Sequence, residues 1–569
     1  MELNWLDRIG DWNPQLLREL KGRLKPRNLI IAVATSLVGQ LLLLMTYAER
    51  LPVDYNSTGE IHNKYCTGSA AQPYTPPLCF QDSLGSFDIN WQLWSLDVFI
   101  PLSIIGILAL LAIGTYMLIG DLSREEHRGT LNFIRLSPQS TQSVLTGKLL
   151  GAPILLYIAG AFALPLHLWL GQTAQIPLSL ILGFYGVLAA SCLFFYSASL
   201  LYGLVTAGLG GFQAWLGSGC VLMFLISMTG MTSSNREIVT KTLGDWLMLF
   251  SPSFLLQYLV ASSSLPLDYF NAEDLGKLQV FGVSVGGSVW IAFGFMLLNY
   301  ALWSYWVWQG LNRCFHNPSA TVLSKRQSYL LTACLEVEIL GFSLQPVAWS
   351  RNEEGLFANF AMLLVFNLVL FLVLIAALSP HRQALQDWAR YRHQNQSSRQ
   401  GGIVADLLWG EKSPALVAVA LNLAIAVSIL TPWVLLWSAS EYKRAALLGL
   451  VLSVNLILIY AWAAQLMLLM KTAKRGLWAA STVCGLIALP PIVFGLLSIS
   501  PSEIPALWLF SAFGWAAVKD AATSTVFLAV LGQWLGLTVL TVQMTRQLRL
   551  AGESATKALF AGRPSLPAA

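Results

Sequence analysis

Charge is scarce in this sequence. Asp, Glu, Lys and Arg make up 11% of its 569 residues, against roughly 25% in ordinary soluble domains. A chain this poor in charge and 56% hydrophobic has too little polar surface to cover a water-soluble fold. The net charge of +5 is also too small to suggest a nucleic-acid partner. Nucleotide chemistry is missing as well. No Gly-x-x-x-x-Gly-Lys-Ser/Thr loop occurs: Gly147-Lys148 is followed by Leu149 and lacks the earlier glycine. The six histidines are dispersed, without a His-Glu-x-x-His pair, and the seven cysteines have no metal-ligand spacing. No metal, no cofactor and no enzymatic activity are therefore expected.

What the chain does have is long apolar runs, several exceeding the ~20 residues that a spanning helix needs. They lack strict alternation, so a helical bundle is favoured over a transmembrane barrel. The expected fold is all-α, a polytopic bundle of about twelve spans. Six lie near residues 28–47, 97–119, 149–170, 177–202, 205–231 and 283–308. Four more lie near 415–437, 445–469, 477–497 and 524–542, and 357–378 clearly can span. Two stretches, 247–258 and 504–518, are too short to cross and read as re-entrant or interfacial. Residues 1–27 carry Trp5, Ile9, Trp12, Leu16 and Leu20 at three-to-four spacing. That stripe predicts an interfacial amphipathic helix, which Pro14 would split; a soluble tail capping the bundle is the other reading. No cleavable signal peptide is expected.

Residues 329–349 are harder. Lys and Arg cluster at the amino terminus, in 124–148, in 313–326 and in 382–412. Keeping all of these on one side requires this segment to cross. Yet it carries Glu336 and Glu338, each costing about 3 kcal/mol at a helix centre. Two residues apart is about 200° of helix rotation, so the two carboxylates cannot share one groove. In the long polar loop after the first span, Cys66 and Cys79 form a candidate disulfide pair, and two free thiols fit that loop equally well.

Local echoes suggest duplication. Leu-Met-Leu-Phe-Ser-Pro252 resembles Leu-Trp-Leu-Phe-Ser-Ala512, and Ser319-Ala-Thr321 resembles Ser554-Ala-Thr556. Lys25-Pro-Arg-Asn-Leu and Lys412-Ser-Pro-Ala-Leu each open a span. The domain reading is 1–27 as the amphipathic helix and 28–326 as a six-helix unit. An additional helix pair and linker follow over 327–412, then a second half over 413–569.

Between the second and third spans lies a compact polar stretch, Arg124 to Pro138. A short helix tied at both ends to spans must transmit any push into the bilayer. Glu125, Arg128 and Arg135 offer charge to a partner, and Leu131, Phe133 and Ile134 offer apolar contact. Glu125-Glu126 also invites comparison with intramembrane proteases using Glu-Glu-x-x-x-Arg, but Thr130 holds the Arg position and the pair lies outside a span.

The order Glu125, Gly129-Thr130-Leu131, Ser137-Pro138 and Gly147-Lys148 resembles the permease subunits of type-2 ABC exporters. His127 departs from the pattern by replacing a second acid. The resemblance covers roughly residues 1–326. It implies an exporter permease driven by a separate ABC ATPase, which docks on this coupling helix. The residues implicated are Glu125, Gly129, Thr130, Leu131, Arg135, Ser137 and Pro138. A homodimer, or pairing with a second permease, is implied, in the plasma or inner membrane with both termini cytoplasmic. The second half carries no copy of the motif. Alternatives are a non-transport membrane scaffold, and an ion-coupled transporter using Glu336 or Glu338.

Overall fold

The computed structural model describes residues 4–53, 61–68, 76–81, 86–206, 211–232, 239–263, 272–345, 347, 353–394, 402–438, 440–472 and 474–552. The echo at Ser554 to Thr556 lies outside them. The chain is an all-α polytopic bundle. Among the described residues, ten helices are long and apolar enough to cross a membrane.

Two compact units divide the chain. The first comprises Met1–Val239, Leu247–Leu278 and Ser284–His316; the second comprises Thr240–Trp246, Gln279–Val283 and Asn317–Ala569. The opening segment is two helices, α1 (Asn4–Trp12) and α2 (Pro14–Arg23). The break falls where Pro14 takes the first helical position and Asn13 caps it, accepting from the Leu16 nitrogen at 3.0 Å.

The first span is α3 (Pro26–Ala48), which has no fully buried residue although one side of it packs on a later helix, α8 (Ile154–Thr173). The second is one continuous rod: α4 (Trp91–Leu108), a π turn (Ala109–Ile113) and α5 (Gly114–His127). A π turn disturbs the regular hydrogen-bond ladder. Here Tyr196 donates its hydroxyl to the Leu110 carbonyl at 2.6 Å. Gly114 makes room for that ring, because a Cβ there would lie 2.2 Å from the hydroxyl. The chain continues through α6 (Thr130–Arg135), α7 (Thr141–Gly151), α8 (Ile154–Thr173), α9 (Leu178–Val205) and α10 (Phe212–Thr232). A broken stretch follows, α11 (Leu243–Met248), a 3-10 turn (Pro252–Leu255) and α12 (Leu256–Ser262), then a two-stranded hairpin, β1 (Gln279–Val280) and β2 (Val283–Ser284). The last long helix of the first unit is α13 (Val289–Cys314). Within this unit α3 and α4 pack on α8, α5 packs on α9 and α10, and α9 packs on α13.

The second unit runs α14 (Lys325–Ser343), α15 (Glu353–Leu378), α16 (Arg382–Gln394), α17 (Ile403–Trp409), α18 (Leu416–Leu435), α19 (Ser440–Leu468), α20 (Arg475–Leu496), α21 (Pro505–Trp508) and α22 (Thr523–Gly552). Here α14 packs on α18, α15 on α19, and α19 on α20 and α22. Counting long helices in order, both units pair first with third, second with fourth, and fourth with sixth. Before its last helix each unit has a broken stretch in which Leu249 and Ser251, or Leu509 and Ser511, are fully buried. That Leu-Phe-Ser echo is therefore equivalent in structure. The Lys25 and Lys412 echo is not, since Lys25 precedes a first helix and Lys412 a third.

The two acids of α14 face different partners. Glu336 is fully buried and accepts from Asn367 Nδ2 at 3.3 Å, whereas Glu338 accepts from the Trp246 indole at 2.9 Å. Cys66 and Cys79 form a disulfide with Cα atoms 4.9 Å apart.

Candidate docking surface

The segment joining the second and third long helices is built around one glycine. Gly129 has φ +70° in the left-handed region, where a side chain is disfavoured. Nothing lies within 4 Å of where its Cβ would be, so backbone conformation alone makes glycine the fitting residue. The turn lets α6 fold back beneath α5, and Thr130 Oγ1 donates to the Glu125 carbonyl at 3.2 Å. Ser137 closes α6 by donating to the Ile134 carbonyl at 2.7 Å. Ser140 then caps α7, accepting from the Ser143 nitrogen at 3.2 Å.

The inner side is locked in two ways. Leu131 and Ile134 are buried in an apolar cluster with Leu145, Leu149, Leu311 and Phe315, which ties α6 to α7 and to the end of α13. His316 Nδ1 also meets the Arg135 carbonyl at 3.2 Å. The second lock is electrostatic. Lys148, 1% exposed, places Nζ 2.8 Å from Asp121, 3.2 Å from Glu19 and 2.6 Å from Glu125. The Glu125 contact is an ion pair rather than an aligned hydrogen bond. Arg23 adds contacts to Asp121 at 2.5 Å and Glu19 at 3.1 Å, and Arg18 reaches Glu125 at 3.5 Å.

Three carboxylates thus meet three cations. Burial alone would push the Lys148 pKa down, but Asp121, Glu19 and Glu125 outweigh it and hold the ammonium above the ordinary lysine range. The three carboxylates converge within 4.8 Å of one another, a spacing that would also suit a metal ion. The Lys148 ammonium already sits among them.

The cluster depends on α2 lying close against α7, which two glycines permit. A Cβ on Gly147 would sit 2.7 Å from Asn13 Oδ1 and 2.8 Å from the Leu16 nitrogen; one on Gly151 would sit 2.4 Å from Glu19 Cβ. Glycines four residues apart line one helix face and admit a close neighbour. Asn13 completes the seam by donating to the Ser143 carbonyl at 2.7 Å. So α2 turns Leu16, Glu19 and Leu20 into the protein, as a cap on the bundle would, while Trp12 stays exposed. A polar cleft of about 340 Å³ remains between α2 and the segment, lined by Arg18, Arg23, Arg124 and Arg128 among others.

The outer side has different chemistry. Phe133 is 79% exposed and Leu136 is 86% exposed. His127 and Asn132 are exposed on the same segment, as are Arg124 and Arg128 at the cleft. The structure thus reassigns several residues that sequence spacing offered as partner contacts. Glu125 and Leu131 are buried, and the Arg135 side chain is 9% exposed against Glu126 and Asn132. These three hold the segment in place. Gly129, Thr130 and Ser137 shape its turns, and Pro138 is exposed at its end. Sequence reasoning missed Leu136, Arg124 and His127 as surface residues. Their signal is an i, i+3 pattern, Leu131 and Ile134 inward against Phe133 and Leu136 outward, which a six-residue helix is too short to make evident.

No protein-family model, no curated protein and no solved structure matches this chain.

Proposed function

We propose that the chain is the membrane permease of an ABC exporter, powered by a separate ATPase that seats on α6 and its flanking turns. One observation carries the reading. An exposed apolar pair, Phe133 and Leu136, stands on a segment that also exposes Arg124, His127 and Arg128, and whose opposite face is packed on α5, α7 and the end of α13. An apolar knob on a basic segment suits an apolar groove flanked by acidic residues. Since α5, α7 and α13 all grip the inner face, displacement of the seat must move those helices. Nucleotide hydrolysis belongs to the partner, because the sequence has no P-loop. The clustering of Lys and Arg at the same ends of the spans supports a reading with both termini and this segment cytoplasmic, in a plasma or inner membrane as such exporters would be.

The test is a pair of surface changes. Phe133→Glu with Leu136→Glu is expected to abolish co-purification of a P-loop ATPase while leaving the elution of the detergent-solubilised chain unchanged. A complex that survives both changes overturns the seat. A second reading, an ion-coupled transporter, is favoured by Glu336, whose Oε1 is buried without a hydrogen-bond partner. Transport that persists without the ATPase but fails in Glu336→Gln would favour that reading.

A further inference from the structure

The charge-balanced knot leaves two cations over. Arg18, Arg23 and Lys148 face Glu19, Asp121 and Glu125, and each of these six groups has an opposite charge within 3.5 Å. Arg124 and Arg128 stand outside that pairing. Both are exposed, and among the described residues neither is ion-paired with a carboxylate. Arg124 is held at its inner end, where Nε donates to the Gly120 carbonyl at 3.1 Å, so both terminal amino groups are left to take an acceptor.

All four arginines line one cleft. Arg18 and Arg23 come from α2, Arg124 from the last turn of α5 and Arg128 from the turn after it. Gly22, Thr130 and the three acids complete the walls. Its volume of about 340 Å³ lies within the range of small-ligand sites, about 300–1,000 Å³. The acids do not oppose an anion there, because Lys148, Arg23 and Arg18 already balance them. The surplus is positive, and guanidinium groups hold phosphate oxygens through paired N–H donors. Gly22 keeps the space open: nothing lies within 4 Å of where its Cβ would be.

The place of the cleft in the fold indicates where such a phosphate comes from. Its α2 wall ends at Arg23, three residues before the first span opens at Pro26, and its α5 wall is the last turn of the second span. Both walls are therefore span ends, the level at which lipid headgroups lie. Basic pockets between spans at that level take anionic headgroups. We propose that this cleft binds the phosphate headgroup of an anionic lipid, with Arg124 and Arg128 as the donors that the knot leaves free. A phosphate held there joins α2 to the end of α5. The site needs no ATPase, so it stands apart from the docking reading.

The test uses the purified full-length chain in detergent. It would be titrated with dioctanoyl phosphatidate, with dioctanoylglycerol, which lacks only the phosphate, and with inorganic phosphate. Retained ligand is read by native mass spectrometry and the unfolding midpoint by thermal melting. Phosphatidate is expected to bind and to raise the midpoint, and dioctanoylglycerol to do neither. Arg124→Gln with Arg128→Gln should weaken phosphatidate binding about tenfold or more. Gly22→Phe, which fills the cleft without removing charge, should weaken it as well. Lys21→Gln, an exposed change on α2 outside the cleft, should leave it unchanged. Phosphatidate binding that is unchanged in the double arginine variant overturns the site. Inorganic phosphate binding as tightly as phosphatidate overturns the lipid assignment. No phosphatidate binding, with ATPase co-purification lost in the double arginine variant, makes the two arginines protein contacts and overturns the headgroup site while the docking reading stands.

Discussion

In one unit the segment between the second and third helices hangs on a lysine surrounded by carboxylates; in the other it hangs on a lysine surrounded by carbonyl and hydroxyl oxygens. The first arrangement draws its acids from two elements, Glu19 on α2 and Asp121 and Glu125 on α5, and sets them around a lysine on α7. Three pieces of chain are therefore held by one charge-balanced knot. The second arrangement takes its acceptors from the end of α17 and the turn before α18, so Lys325 ties the start of α14 to one short stretch of neutral oxygens. The first knot gathers carboxylates from two elements, whereas the second lysine is satisfied within one stretch. Equivalent segments of a repeat can thus be held by unlike chemistry and by differently placed lysines, provided each ammonium has its acceptors satisfied.

Lysine removal should separate the two units most sharply. Lys148→Met leaves buried carboxylates without their central cation, at an expected cost of about 3–5 kcal/mol. Lys325→Met removes hydrogen bonds from a charged donor to neutral acceptors, at about 1.5–3 kcal/mol. Thermal unfolding midpoints in detergent compare the two. A Lys325→Met loss equal to or larger than that of Lys148→Met would remove the distinction. The glycine seam comes next. Gly151→Leu would drive side-chain atoms into Glu19 and is expected to cost about 1–3 kcal/mol by overpacking. It should also free α2, seen as new protease cleavage near Arg18 and Arg23; an α2 that stays protected would mean the knot does not need close approach.

Backbone strain is a smaller lever. Gly129→Val sets a β-branched residue in the left-handed region, at about 1–2 kcal/mol, and the open space around it offers no further clash. Gly129→Asn should recover part of that loss, because Asn tolerates this conformation. Failure of Asn to do better than Val would place the cause elsewhere. Smallest of all, Phe133→Ser is expected to change stability by less than about 0.5 kcal/mol, as an exposed site should. A large drop would mean that Phe133 packs within the protein and is not an outward contact.

Much of the fold was legible in the residues. Long apolar runs located the long helices, with some ends displaced by about two turns or more, Pro14 marked the break between α1 and α2, and Leu-Phe-Ser marked both broken stretches. The candidate site was legible only in outline. Glu125 and Arg135 are charged, so they read as surface residues, yet both have partners close enough to bury them. Lys148 was visible only as part of a spacing pattern, because Glu19, 129 residues away, is what gives it meaning. The repeat was obscured for a related reason. Helix pairing conserves which rods touch, and many apolar sequences can make the same contact.

By itself, then, the sequence determined that this is a many-helix membrane chain, roughly where its long helices lie, and that a polar segment joins the second to the third. Those properties follow from run length and local backbone preference, which neighbours in the chain decide. The tertiary structure alone decided which side of α6 faces out, which acids surround Lys148, and which oxygens surround Lys325. Burial and charge pairing depend on atoms brought together from distant positions, and only the packed helices bring them there.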